Sequence, residues 1–353
     1  MNKLGAISLY NKTFLDPKKL SDLVFLGFDF DKNCYGVLDG DKIVSVGFIS
    51  YKSLCVNGKV YGFPFLFGLA TDSEYKNKGF AKKTISNIIK DLYGKGLPFL
   101  GLYPYPVDKS FYEKFGFQTF NFVNKIALKN LVILGTDIKE NLTSEELFSL
   151  YNKATKNCEI KQNLSAKNFS FNLKKIKAFN GRIFGLYYKD YLYGYVCLDG
   201  ERLEESFFDL EFINNCKDKI LGENSVDFLQ PFGLDKNLYL YQFASKKINA
   251  DIFSFAQIRP VNYIKFLRVF RNNFSADLDS VSKILVKDEI LGNIKLKIVC
   301  NNGKIRFYKN FIGKDFVTLT PREFTEYVLF SKTDYNLIKT NKTIFDYAFL
   351  DRY

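Results

Sequence analysis

Histidine and tryptophan are absent from the 353 residues, and methionine occurs once. Without histidine there is no Ser-His-Asp or Cys-His nucleophile system, no imidazole base and no histidine-ligated zinc. Catalysis, if there is any, rests on Tyr, Lys, carboxylates, Cys or the chain termini. No run of 18 apolar residues occurs, so no segment reads as a membrane-spanning helix. The opening MNKLGAISLYNK lacks the uninterrupted apolar core of a secretion signal. The six cysteines, at 34, 55, 158, 197, 216 and 300, have no short-spaced pair. That spacing argues against a disulfide framework or a metal knuckle and for reduced thiols. A soluble cytoplasmic protein with no metal and no membrane partner is expected.

What is present is a basic, phenylalanine-rich chain long enough for two or three domains. Apolar residues make up 47%, with 38 Phe and 23 Tyr, which is the composition of a folded core rather than of disorder. Lys and Arg exceed Asp and Glu by 13, and the excess is uneven. Residues 1–135 carry +7, residues 136–250 are neutral and residues 251–353 carry +6. The densest cluster, Lys174, Lys175 and Lys177, falls in the neutral segment on an amphipathic stretch and reads as a solvated helix face. A nucleic-acid binder needs a basic run interleaved with stacking aromatics, so no nucleic-acid partner is expected.

Along the chain, apolar runs at 34–38, 42–51 and 60–71 are divided by Asp39-Gly40-Asp41 and Asn57-Gly58, the signature of an antiparallel meander. A polar loop, 72–79, leads into Phe80, Ala81, Thr84, Ile85, Ile88, Ile89, Leu92 and Tyr93 at helical spacing, and Gly94-Lys95-Gly96 ends the pattern. A run at 98–103, a short helix behind Asp108 holding Phe111, Tyr112 and Phe115, and a strand from Phe117 to Leu128 complete a β-β-β-loop-α-β-α-β unit. Thr143-Ser144-Glu145-Glu146 is a capping box. Beyond it come a strand pair at 183–188 and 191–198 and a helix predicted through 207–220. The last stretch predicts a helix over 261–273, strands near 283–287, 294–299 and 304–308, and a helix capped by Thr320 with Pro321 at its first position and Glu323 at its third.

Lys76-Asn77-Lys78-Gly79-Phe80-Ala81 lies between a strand and a helix start. Unpaired amides and the helix dipole meet there, which suits a diphosphate. Small residues at 79 and 81 allow close approach, and Lys76, Lys78 and Lys82 add charge. As bare spacing, the same residues also describe an ordinary glycine-bearing loop with solvated lysines.

The stretch Leu69 to Ala81 resembles the acetyl-CoA loop of the GNAT superfamily of N-acetyltransferases, with Lys76 in place of the usual Arg or Gln. Phe111-Tyr112-Glu113-Lys114-Phe115-Gly116-Phe117 resembles that superfamily's second hallmark. The layout of the whole chain is similar to the enhanced-intracellular-survival family. That resemblance implies a mixed α/β fold. By the resemblance, an acetyl-CoA-binding acetyltransferase domain is expected over 1–135 and a second, degenerate one without a phosphate loop over 136–255. The resemblance further implies a domain like sterol carrier protein over 256–353, with the C-terminus expected to reach the active site.

By the same resemblance, Leu69, Ala70 and Thr71 hold the acetyl and pantetheine portion of acetyl-CoA, and Asn77, Lys78, Gly79, Phe80, Ala81 and Lys82 hold its diphosphate. Val107 and Asp108 match a further cofactor contact, although the family usually has Ser-Glu there. Tyr112 matches the general acid for the departing thiolate. The terminal carboxylate of Tyr353 matches the general base. The acceptor implied is a small-molecule primary amine, polycationic in the family's association, and the assembly implied is a homo-oligomer, often a hexamer. A net +13 sits awkwardly with a polycation unless an acidic pocket of Asp29, Asp31 or Asp351 receives it. Phe63, Phe65 and Phe67 read as the inward face of a strand or as a pocket wall. A non-catalytic acyl-CoA or lipid binder, and an acetyltransferase of protein amines, are the competing readings.

The chemistry so implied needs no imidazole. Strand amides are expected to stabilise charge on the thioester oxygen. A tyrosine of ordinary pKa near 10 matches a thiolate of comparable basicity. A terminal carboxylate of pKa about 3.5 is a weak base, acting through water or by orienting the amine unless burial raises it. Holding both reactants in place supplies much of the acceleration.

Overall fold

The computed structural model describes residues 2–104, 109–128, 133, 135–156, 160–178, 180–199, 202–216, 226–231, 251–274, 279–330 and 347–348. Three helices open the chain: α1 (Lys3–Phe14), α2 (Lys18–Val24) and α3 (Phe30–Asn33). Asn2 and Asp29 cap the first and third through their side chains. The predicted meander follows as β1 (Cys34–Asp39), β2 (Lys42–Val56) and β3 (Lys59–Thr71). Gly40 and the Asn57-Gly58 pair take the positive φ that its tight turns require.

After a 3-10 turn at Ser73–Tyr75 come α4 (Phe80–Gly94), β4 (Phe99–Leu102), α5 (Lys109–Glu113) and β5 (Gln118–Leu128). The chain continues through β6 (Thr136–Lys139), α6 (Ser144–Ala154), β7 (Ile160–Gln162) and α7 (Ala166–Ala178) to β8 (Arg182–Tyr188), β9 (Tyr191–Asp199) and β10 (Arg202–Phe208). Then follow α8 (Leu210–Asn215), β11 (Val226–Pro231), β12 (Asp251–Pro260) and α9 (Tyr263–Val269). The last elements are β13 (Ser280–Asp288), β14 (Gly292–Asn301), β15 (Lys304–Lys309), β16 (Val317–Leu319), α10 (Pro321–Phe330) and β17 (Tyr347–Ala348).

These strands form three sheets. The largest runs β11-β5-β12-β4-β3-β2-β7-β17, with β1 also paired to β2. The others run β10-β9-β8-β6 and β15-β14-β13-β16. In the large sheet, β12 lies between β4 and β5, antiparallel to both.

Two expectations are corrected. The helix expected over 207–220 is confined in the described residues to α8, because Phe207 and Phe208 close β10 opposite Tyr195 and Gly194. Gly194 leaves the space that the Phe208 ring fills, since a Cβ there would come within 2.5 Å of it. Asp209 then caps α8 by accepting from the Phe212 amide at 3.0 Å. The helix expected over 261–273 begins at Tyr263 behind the Asn262 cap and ends in a separate 3-10 turn at Arg271–Asn273.

One face of the large sheet packs on α4, where Ile85, Ile88, Ile89 and Leu92 meet Ile49, Leu66, Leu100 and Leu102. Phe48 and Phe67 cover an aromatic cluster with Tyr10, Phe25, Phe28 and Phe30 of the opening helices and their links. Phe63, Phe65 and Phe99 enter a third core together with Phe266, Phe270, Ile284, Leu296 and Phe324. Phe63 and Phe65 are therefore core residues. Phe67, half-buried, stacks on Phe48 at 5.4 Å. Lys175 of the lysine cluster is buried, its ammonium 5.1 Å from the Phe171 ring, while Lys174 and Lys177 remain in contact with solvent. No helix is long and apolar enough to cross a membrane among the described residues.

Candidate active site

The site begins where β3 and β4 part. Their parallel ladder consists of Phe65 opposite Gly101 and Leu66 opposite Leu102, yet β3 runs on to Thr71, held on its other side by β2. The β4-facing edge of residues 67–71 is thus left by its ladder partner. Gly68 marks the change, with φ +60° and a position where a Cβ would sit 2.8 Å from the Tyr10 ring and 2.9 Å from Phe48. A side chain there is excluded both by conformation and by close packing.

The strand end is tied to α4 by a hydroxyl network. Ser45 Oγ donates to the Ala70 carbonyl at 3.1 Å, and Thr71 Oγ1 and Thr84 Oγ1 lie 3.2 and 2.9 Å from Ser45 Oγ. Thr84 also reaches the Phe80 carbonyl, one turn back, at 3.2 Å. Ser45 and Thr84 are fully buried, so the network fixes the distance between the parted edge and the start of α4.

That helix start is shaped for an anion. Asn77 and Gly79 adopt φ of +62° and +82°. No side chain caps α4, and its first helical bond runs from the Lys83 amide to the Gly79 carbonyl at 3.0 Å. The amides ahead of it have no intrahelical acceptor, and the dipole adds positive potential. A Cβ on Gly79 would meet nothing within 4 Å, so the approach is open. Tyr75 holds Lys78 and Lys42 over its ring, each 4.9 Å from the centroid, and packs edge-on against Phe80 at 5.6 Å. Lys76, Lys78 and Lys82 are exposed around the loop.

Below the loop, Asp72 accepts from the Glu74 amide at 3.1 Å and pairs with Lys42 at 3.2 Å. These contacts hold its carboxyl below the usual range, the amide bond foremost. Asp72 therefore remains an anion that secures the loop from beneath.

Tyr112 is half-buried on α5, with its ring edge-on to Phe111 at 5.1 Å and to Phe117 at 6.1 Å. It packs on the same apolar cluster as α4, the cluster that holds Leu66 and Leu102 where β3 and β4 part. Of the residues named from sequence, Leu69, Ala70, Thr71, Asn77, Lys78, Gly79, Phe80, Ala81 and Lys82 lie along this edge and helix start. Tyr112 stands on the same face of the sheet. Val107, Asp108, Tyr353 and Asp351 lie outside the described residues. Asp29 and Asp31 are exposed, and Asp29 is engaged with Lys32, whose side chain does most to hold its carboxyl below the ordinary value. No cluster of Cys, Asp and Glu suited to a metal occurs among the described residues.

Sequence reasoning did not single out Ser45, Gly68 or Thr84. A hydroxyl on the apolar side of a helix, as at Thr84, was the available signal for the network. Gly47 and Gly68, on paired strands, were the signal for the shift in β2–β3 register that falls between Val46 and Phe48.

An open sheet edge thus parts from its parallel partner beside an uncapped, glycine-headed helix start, which together offer backbone groups to a ligand and positive potential to an anion. Residues 5–120 match the family model of the acetyltransferase (GNAT) domain. No curated protein sequence matches the chain. Among solved structures, a probable N-acyltransferase from Enterococcus faecalis V583 is similar over 94% of this chain and 89% of its own, at 13% identity and a TM-score of 0.68. A GCN5-related N-acetyltransferase from Anabaena variabilis aligns over 93% and 87% at 16% identity, TM-score 0.66. Eis1 from Mycobacterium abscessus aligns over 93% and 87% at 12% identity, TM-score 0.65. At these identities the likeness is one of fold, and it extends over nearly the whole chain.

Proposed function

We propose that the chain is an acetyl-CoA-dependent N-acetyltransferase acting on a primary amine of a small molecule. The observation that carries this reading is the pairing of a parted β3–β4 ladder with the open amide-lined start of α4, inside the segment that matches the acetyltransferase family. Acetyl-CoA supplies a thioester carbonyl open to attack by an amine. Amides of residues 79–82, with Lys78 and Lys82, bind the diphosphate. The edge at Leu69, Ala70 and Thr71 holds the acyl end and offers backbone groups to the carbonyl oxygen. Tyr112 gives a proton to the leaving sulfur.

The proposal extends to the terminal carboxylate of Tyr353 as base and to Val107 and Asp108 as cofactor contacts. It also covers a degenerate second acetyltransferase unit over 136–255, a unit like sterol carrier protein over 256–353, and a cytoplasmic homo-oligomer. Titration calorimetry with acetyl-CoA, followed by CoA release in the presence of spermidine, kanamycin and a lysine-bearing peptide, tests it. Saturable binding and release with at least one amine are expected. Absence of binding removes the reading, and release with the peptide alone moves the acceptor to protein amines.

A further inference from the structure

Tyr112 stands on a helix of five residues, too short to hold its own geometry. Its exit turn is closed by the Phe115 and Phe117 amides donating to the Tyr112 carbonyl, at 2.9 and 3.3 Å, and by the Gly116 amide donating to Glu113 at 2.9 Å. What fixes this turn from outside comes from the far end of the chain. Arg322, at the second position of α10, donates from Nη1 to Glu113 Oε2 at 2.8 Å and from Nε to Gln118 Oε1 at 2.7 Å. One guanidinium thus grips the residue after Tyr112 and the residue after Phe117.

Pro321 completes the contact. It occupies the space above Gly116, where a Cβ would lie 2.6 Å from the proline Cβ, and Gly116 takes φ +82° to make that turn. The start of α10 is itself rigid. The Thr320 amide donates to Glu323 Oε2 at 2.7 Å, the Glu323 amide donates to Thr320 Oγ1 at 3.2 Å, and proline sits at the first helical position. Glu326, one turn along, lies 3.9 Å from Arg322 Nε. Gln118 is buried. A single exposed ion pair contributes little. A planar fork spanning two partners on either side of a tight turn sets geometry as well as energy.

We propose that Arg322 is a positioning residue of the acetyltransferase site, holding Tyr112 in register with the leaving sulfur through Glu113 and Gln118. The inference rests on the reading of Tyr112 as the proton donor. A misplacement of about 1 Å at a reacting group costs up to about a hundredfold in rate, so loss of the fork acts on turnover more than on acetyl-CoA binding.

The test is a double-mutant cycle on the full chain: wild type, Arg322→Ala, Tyr112→Phe and the double variant, assayed by CoA release with whichever of spermidine, kanamycin or the lysine peptide turns over fastest. Arg322→Ala is expected to lower kcat about tenfold with the acetyl-CoA Kd within twofold, and to lower it no more than twofold in the Tyr112→Phe background. Equal losses in both backgrounds, or none in either, overturn the proposal, because a merely structural residue does not depend on the Tyr112 hydroxyl. Hydrogen exchange over residues 109–118 is read in parallel without substrate. Faster exchange in Arg322→Ala by tenfold or more is expected, and unchanged exchange overturns the clamp. If wild type turns over no amine, the functional reading falls and exchange alone decides whether Arg322 holds the turn.

Discussion

Tyr112→Phe removes one hydroxyl and leaves the ring contacts with Phe111 and Phe117 in place. General acids contribute about 10²–10⁴-fold to the steps they assist. The variant is therefore expected to lose about a hundredfold in kcat while its acetyl-CoA Kd, measured by calorimetry, stays within twofold. An unchanged kcat removes Tyr112 from the chemistry. Gly79 was legible in the sequence because a helix start with positive φ makes a local demand, and Tyr112 was singled out through the resemblance that its aromatic motif carries. Ser45, Thr84 and Arg322 were not, because their partners lie far along the chain. Ser45 reaches Ala70 across 25 residues, Thr84 reaches Ser45 across 39, and Arg322 reaches Glu113 across 209. No local pattern encodes such pairs.

At the scale of elements, the capping box of α6 gives a pH-dependent test. Glu146 accepts from the Thr143 amide at 2.9 Å, and Thr143 Oγ1 accepts in return from the Glu146 amide at 3.1 Å. The Thr143 amide is the main cause holding the Glu146 carboxyl below its ordinary value of 4.5, and the hydroxyls of Thr143 and Tyr187 add to it. A carboxyl with a lowered folded pKa contributes stability above its unfolded value and loses that contribution as pH falls through the folded one. Glu146→Ala is expected to cost about 1 kcal/mol at pH 7, with a smaller gap at pH 3, both read from urea midpoints. A gap that is constant with pH assigns the loss to packing alone.

The hairpins, the caps at Thr143 and Thr320 and the helix 80–94 were legible because turn residues and periodicity are written within a few positions. The opening helices α1–α3 were not, since short helices with mixed faces give no clean period. Neither was the seat of β12, because a strand's neighbours in a sheet are chosen by the whole fold and not by its own alternation.

The whole molecule depends on that strand. Inserted between β4 and β5, β12 carries Arg259, fully buried and paired with the buried Asp288 at the end of β13. Tyr263 donates to the same carboxylate at 2.7 Å, and the Ile290 and Leu291 amides donate to its other oxygen at 2.9 and 3.1 Å. Burial works to raise the Asp288 pKa, but Arg259, Tyr263 and the Ile290 amide together outweigh it and hold the carboxyl below its ordinary range. Tyr263, pushed well up chiefly by burial, stays neutral.

The aromatic core across the same junction, Phe63 and Phe99 with Phe266 and Phe270, leaves the large sheet without an independent apolar face there. Residues 1–135 expressed alone are therefore expected to show no cooperative unfolding transition. Within the full chain, Asp288→Ala strands the Arg259 charge in the interior and is expected to cost about 3–5 kcal/mol in urea unfolding at pH 7. Because the contribution of Asp288 is present above about 3.8 and fades as pH falls through its lowered folded value, the penalty should narrow below pH 3. A loss under about 1 kcal/mol at pH 7, together with a fragment 1–135 that unfolds cooperatively, means that the junction is peripheral and that residues 1–135 fold without the C-terminal segments.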